Sequence, residues 1–173
     1  VLASGIISSK NQKINVLAPT ENLEIEASWD NDHIRFSSGL KQSNSTNRAD
    51  LNGDLRFTSS GLELGLQRSR FRLLDGTWRI SPNNLVTISG SDICLRDLTF
   101  SNNGQSISLN GTVSEDSTLA LELKSEDFHL STIAPVIEMD LNGTVNGVVV
   151  LRDLYDNIYI DSDINVDELV YKN

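Results

Sequence analysis

The phrase Leu-Asn-Gly occurs at Leu51-Asn52-Gly53, Leu109-Asn110-Gly111 and Leu141-Asn142-Gly143, each time inside a run where apolar and polar residues alternate. The runs read L-N-G-D-L-R-F, L-N-G-T-V and L-N-G-T-V-N-G-V-V-V. A period of two is the signature of a strand with one apolar face and one wet face. In each copy leucine and glycine share the apolar side and asparagine takes the other. Glycine inside a strand gives up roughly 0.5–1 kcal/mol relative to alanine, so it marks a bend, a bulge or a close approach. The copies are unevenly spaced, which excludes a strict short-period solenoid. The chain repeats a strand design, with loops of varying length between.

Helical periodicity is almost absent and only three prolines occur among 173 residues. Turn signals at Asn31-Asp32, Ser59-Ser60-Gly61, Asp75-Gly76, Ser81-Pro82-Asn83-Asn84, Asn102-Asn103-Gly104 and Ser114-Glu115-Asp116 separate short alternating runs. These runs extend from Leu2–Ser8 and Lys13–Leu17 to Ile158–Val166 and Glu168–Tyr171 and predict an antiparallel meander. One segment differs. Leu130, Ile133, Ala134 and Ile137 fall at i, i+3, i+4 and i+7, predicting a short amphipathic helix near 130–138, with Pro135 ending or kinking it.

The apolar fraction is 38%, below the usual range for a compact domain, so much of the sheet is expected to stay wet. A formal charge of −10 argues against a nucleic-acid footprint, which needs clustered cations. Residues 1–173 read as one segment of a longer repetitive protein, because the chain opens at Val1, without methionine, directly into an apolar run. No stretch is long and apolar enough for a membrane helix.

No catalytic constellation is legible. Asp161, Asp163, Asn165 and Asp167 imitate half of a calcium loop, but Val166 stands where the loop needs glycine and Lys172 where it needs a bidentate glutamate. His33 and His129 are isolated, no G-x-S-x-G occurs, and Cys94 between Ile93 and Leu95 reads as a strand residue. Gly61-Leu-Glu-Leu-Gly65 lacks the rest of a dinucleotide fingerprint. Arg68, Arg70 and Arg72 form a basic stripe that is expected to meet carboxylates across the sheet. Neither a metal nor a cofactor is predicted.

The run Asp75-Gly-Thr-Trp-Arg-Ile-Ser-Pro-Asn-Asn84, then Ile93–Phe100 and Gln105–Gly111, resembles TamB-type proteins, particularly those of the Bacteroidetes. The order continues through Leu119–Leu123, Asp127–Leu130, Ile133–Pro135 and Leu141–Gly143 into Gly147–Leu151, while the residues before Asp75 share only the style. The resemblance implies an all-β, elongated, curled antiparallel sheet, a taco-like open trough with an apolar concave face. It further implies a periplasmic segment of a protein anchored in the inner membrane, related to AsmA-like bridges that carry phospholipid to the outer membrane. Its implied partners are phospholipid acyl chains, an outer-membrane TamA-like barrel protein and nascent outer-membrane proteins.

On that reading the groove is lined by Leu51, Leu55, Phe57, Ile107, Leu109, Val113, Leu119, Leu121, Leu123, Leu141, Val145, Val149, Leu151, Ile158, Ile160 and Ile164, with Gly53, Gly111 and Gly143 where the sheet bends. Two alternatives compete. One is a chaperone-like platform that templates outer-membrane strands by β-augmentation. The other is a structural or adhesive β-solenoid or sandwich with a dry core; an enzyme stands further off.

Overall fold

A computed structural model describes residues 2–12, 20–43, 45–73, 76–134 and 139–172. It is a single antiparallel sheet of thirteen strands. These are β1 (Leu2–Gln12), β2 (Thr20–Asp30), β3 (His33–Gln42), β4 (Arg48–Thr58), β5 (Gly61–Leu66), β6 (Ser69–Leu73) and β7 (Gly76–Ile80). There follow β8 (Leu85–Ser89), β9 (Asp92–Asn102), β10 (Gln105–Val113), β11 (Ala120–His129), β12 (Asp140–Arg152) and β13 (Tyr159–Lys172). The all-β antiparallel expectation holds, and Ile158–Val166 with Glu168–Tyr171 merge into one strand, β13. The predicted strand at Lys13–Leu17, Asp75 of the Asp75-Gly76 turn, and the second half of the predicted helix from Pro135 lie outside the described residues.

The helix expected near 130–138 is a correction. Its described part is one 3-10 turn, Leu130–Thr132, without a side-chain cap at its start. A stripe spanning two turns is too short to sustain a helix without caps, and a proline at 135 disfavours helical backbone in the residue before it. The turn is tied instead to β10: Gln105 Oε1 accepts from the His129 N–H at 3.2 Å and from the Thr132 hydroxyl at 3.4 Å.

The sheet forks at β4. Gly53–Thr58 pair with β5 while Arg48–Asp50 pair with β6. The branches β5-β8 and β6-β7 rejoin on β9, where β8 meets Asp92–Arg96 and β7 meets Phe100 and Ser101. Backbone groups at the fork would lose ladder partners, and side chains replace them. Buried Asn84 accepts from the Leu66 N–H at 2.9 Å and donates to the Leu66 carbonyl at 2.8 Å, acting as one more residue of a neighbouring strand. It also donates to the Ser81 carbonyl. Buried Ser69 does the same for Asn52, accepting from its N–H at 2.9 Å and donating to its carbonyl at 3.0 Å.

Register is kept through bulges. Four residues in left-handed backbone, Asn22, Asp97, Asp127 and Glu168, each sit where one strand carries an extra residue against its neighbour. At two of them an asparagine across the ladder receives the freed amide: Asn110 Oδ1 accepts from Asp97 N–H, and Asn146 Oδ1 from Asp127 N–H, both at 2.7 Å. The glycine after each of these asparagines, Gly111 or Gly147, lets the backbones close up. A Cβ on Gly147 would lie 2.2 Å from the Asp163 carbonyl oxygen, at φ +152°. Gly53 is different. Its ladders with β3 and β5 run without a shift, and it makes room for the ring of Phe36 directly opposite, 2.9 Å from where a Cβ would stand.

Asn84→Ala is expected to lower unfolding free energy by about 1–3 kcal/mol, since it strands both polar groups of Leu66; urea denaturation followed by circular dichroism measures it. By the same assay Gly147→Ala costs about 1–3 kcal/mol, and more than Gly90→Ala, where a Cβ meets open space.

Candidate functional site

Directly opposed residues in an antiparallel ladder share a face, so the register identifies which side chains lie together. One row crosses the eleven strands of the main path: Ala3, Trp29, Ile34, Leu55, Leu64, Val86, Leu95, Gly111, Leu121, Leu151 and Ile160. Every member is apolar or glycine. At about 4.8 Å per strand the row runs for nearly 50 Å. Beside it lie Phe57, Leu62, Ile88, Ile93 and Val113. On the other flank are Leu98, Leu109, Leu123 and Val149, then Ile80, Phe100 and Ile107.

The residues expected to line a groove fall on this face, with two exceptions. Leu51 stands opposite Ser38, Val145 opposite Phe128 and Val166, Ile164 opposite Gly147, and Leu141 opposite Tyr171. Leu119 precedes β11 in a turn where its N–H donates to the Asp116 carbonyl at 3.0 Å, and Ile158 precedes β13. Both lie just outside the ladders, so the register assigns neither of them a face.

Five apolar residues are buried among those described: Trp78, Ile80, Leu98, Phe128 and Ala134. Seven polar residues are buried too, among them Ser69, Asn84, Gln105 and Ser125. Elsewhere the apolar face is half covered or open, with Trp29, Phe57 and Ile160 exposed. A compact monomer of this mass exposes about 8,400 Å²; this chain exposes 11276 Å².

The best-covered part of the face is aromatic. Phe71 stacks on Trp78 at 6.4 Å between ring centroids and meets Phe100 edge-on at 6.0 Å, while Phe128 packs against Trp78 at 6.1 Å. These rings, with Ile107, Thr132 and Ile133, line an apolar recess of about 260 Å³ beneath the 3-10 turn. Trp78 Nε1 is buried there without a hydrogen-bond partner. Sequence alone does not reveal this cluster, because its rings come from four strands spread between β6 and β11, each with one aromatic at an apolar position. That recurrence was the available signal.

The opposite face is polar and carries the larger indentations, of about 690 Å³ across β1–β3 and about 590 Å³ at the fork. Ion pairs dot it: Lys41–Glu21 at 2.7 Å, Lys124–Glu126 at 2.6 Å and Arg152–Asp161. Lys124 holds the Glu126 carboxyl below its ordinary pKa by hydrogen bond and charge, and its own pKa is raised in return. The Thr118 hydroxyl and N–H, at 2.7 and 2.9 Å, hold Asp116 low as well. Fully exposed pairs of this kind contribute little each. Arg70 meets Asp50 across the sheet at 3.0 Å, as its stripe predicts. His33 lies 3.4 Å from Asp54, and no cluster of three or more His, Cys, Asp or Glu side chains that could hold a metal occurs among the described residues.

Comparison with protein-family models, curated proteins and solved structures finds no match.

Trp78→Ala is expected to cost about 3–5 kcal/mol. Trp78→Phe should stay within about 1 kcal/mol of the parent, because removing an orphan N–H offsets part of the lost ring contact. Urea denaturation read by circular dichroism distinguishes the two.

Proposed function

We propose that this chain is a segment of a TamB-like envelope bridge whose apolar sheet face, curled as the inside of an open trough, carries phospholipid acyl chains between inner and outer membrane. The observation that carries the reading is the apolar row that crosses the sheet from β1 to β13 with none of its members fully buried. Patches that large on soluble proteins mark surfaces that meet another apolar body. Acyl chains suit this one. Each methylene buried against it contributes about 0.8 kcal/mol, and leucine, isoleucine and valine recur along the row with no fixed polar group to arrest a sliding chain. The opposite face, rich in carboxylates, stays in water. The aromatic recess is a place where the face deepens. In this reading the segment works in the periplasm, with the membrane anchor and a TamA-like outer-membrane barrel as its surroundings.

The free side of β13 favours a second reading. Among the described residues this 14-residue strand pairs with β12 alone, an edge to which a strand could be added, as in assistance to outer-membrane protein assembly. A dry-core sandwich finds less support, with one sheet and five buried apolar residues among those described.

Photo-crosslinking separates the faces. A photoreactive residue at Leu109 is expected to label co-purified or added phospholipid, whereas one at the neighbouring Ser108, on the polar face, is not. Equal labelling at the two positions, or no phospholipid in native mass spectra of the purified chain, defeats the acyl-chain reading.

A further inference from the structure

Arginines gather on the polar face where the sheet forks, in a chain of formal charge −10. The register sets Arg48 opposite Arg72 and Arg70 opposite Arg79. Like charges directly across a ladder destabilise a sheet. Asp50 is shared between two of them, 3.0 Å from Arg70 and 3.7 Å from Arg48. Arg68 and Arg79 have no carboxylate within ion-pair distance among the described residues. Arg68, Arg70 and Arg79 line the same recess of about 590 Å³, with the hydroxyl-bearing Ser81 and Ser101 and one carboxylate, Asp50, on its wall.

Solubility does not account for this arrangement, since a protein already at −10 gains nothing by crowding cations together. An anion seated between the guanidinium groups does account for it. Their planar forks match tetrahedral oxyanions bidentately, serine hydroxyls supply further donors, and the anion turns repulsion between facing arginines into shared attraction. The recess is far larger than one oxyanion, leaving room for what the oxyanion is attached to.

We propose that the recess at the fork is a binding site for a phosphate-ester group, gripped by Arg68, Arg70 and Arg79. The site lies on the opposite face from the apolar row and does not rest on the acyl-chain reading, so either can fail alone. The ester can belong to a lipid headgroup or to a soluble molecule.

The test uses the whole isotope-labelled chain, titrated with inorganic phosphate and with pyrophosphate at constant ionic strength in chloride. Saturable amide shifts at Arg70, Arg79, Ser81 and Ser101 are expected. R68Q/R79Q should weaken binding roughly tenfold or more, while R35Q/R56Q, which removes the same charge elsewhere on the polar face, leaves it unchanged. The exposed positions of the exchanged arginines allow folding to be checked by circular dichroism.

A second arm identifies the source. Sedimentation with phosphatidylglycerol-containing vesicles but not pure phosphatidylcholine vesicles, lost in R68Q/R79Q and competed by phosphate, assigns a headgroup. Phosphate binding without sedimentation assigns a soluble ester. Shifts that never saturate, or equal weakening in R35Q/R56Q, overturn the site.

Discussion

Everything in this sheet depends on register. Side chains alternate from face to face, so a slip of one residue at any strand would turn all that strand's apolar groups into water. A path of eleven strands offers ten chances for such a slip. The chain preserves its face while changing its twist by inserting a residue and changing phase at the same point. Ile93 and Leu95 face one side before the bulge at Asp97, and Leu98 and Phe100 face that same side after it. Leu121 and Leu123 before Asp127, and Phe128 after it, follow the same rule.

The balance of what is buried follows from having one layer. A single sheet cannot hide both of its faces, and here the buried polar residues outnumber the buried apolar ones among those described. Cohesion comes from completed backbone pairing, finished by side chains wherever strands diverge. Asn84 and Ser69 at the fork, Asn110 and Asn146 at the bulges, and Gln105 under the turn all lend the backbone a partner that the ladder cannot. Because the core is small, most of the apolar band remains available, and the two faces of one thin sheet present different chemistry at nearly the same place. Trp78 and Arg79 are neighbours in β7, yet one belongs to the aromatic recess and the other to the arginine-lined one.

Alternation made the strands and their faces legible, because a half-covered sheet writes its period directly into the sequence. It also made the Arg70–Asp50 contact predictable in kind. Gly111 and Gly143 mark two of the four bulges, and a further signal lies in the jump from Leu95 to Leu98 and from Leu123 and Ser125 to Phe128, where alternation restarts one residue late. The fork had no such trace. Strands of five residues such as β6, β7 and β8 carry too few positions to show which of two neighbours each will join. The repeated Leu-Asn-Gly proved to have more than one role. Asn110-Gly111 serves a bulge, whereas Gly53 clears space for Phe36 and Asn52 joins the stitching at the fork, where its side chain donates to the Arg68 carbonyl at 3.1 Å. Over the described residues the expected helix is a single 3-10 turn, because Leu130, Ile133 and Ala134 at helical spacing also suit a capless turn packed on a sheet.

The bulges bear on how such a chain can change over generations. Removing the extra residue beside Asn110 would bring Leu95 and Leu98 back into plain alternation, and adding one opposite another asparagine would create a new kink with its amide already provided for. In an ordinary sheet a single-codon insertion or deletion scrambles the faces. Here it would adjust curvature by one increment and leave the apolar side intact, so a lineage can retune the bend of the sheet in small, separately survivable steps.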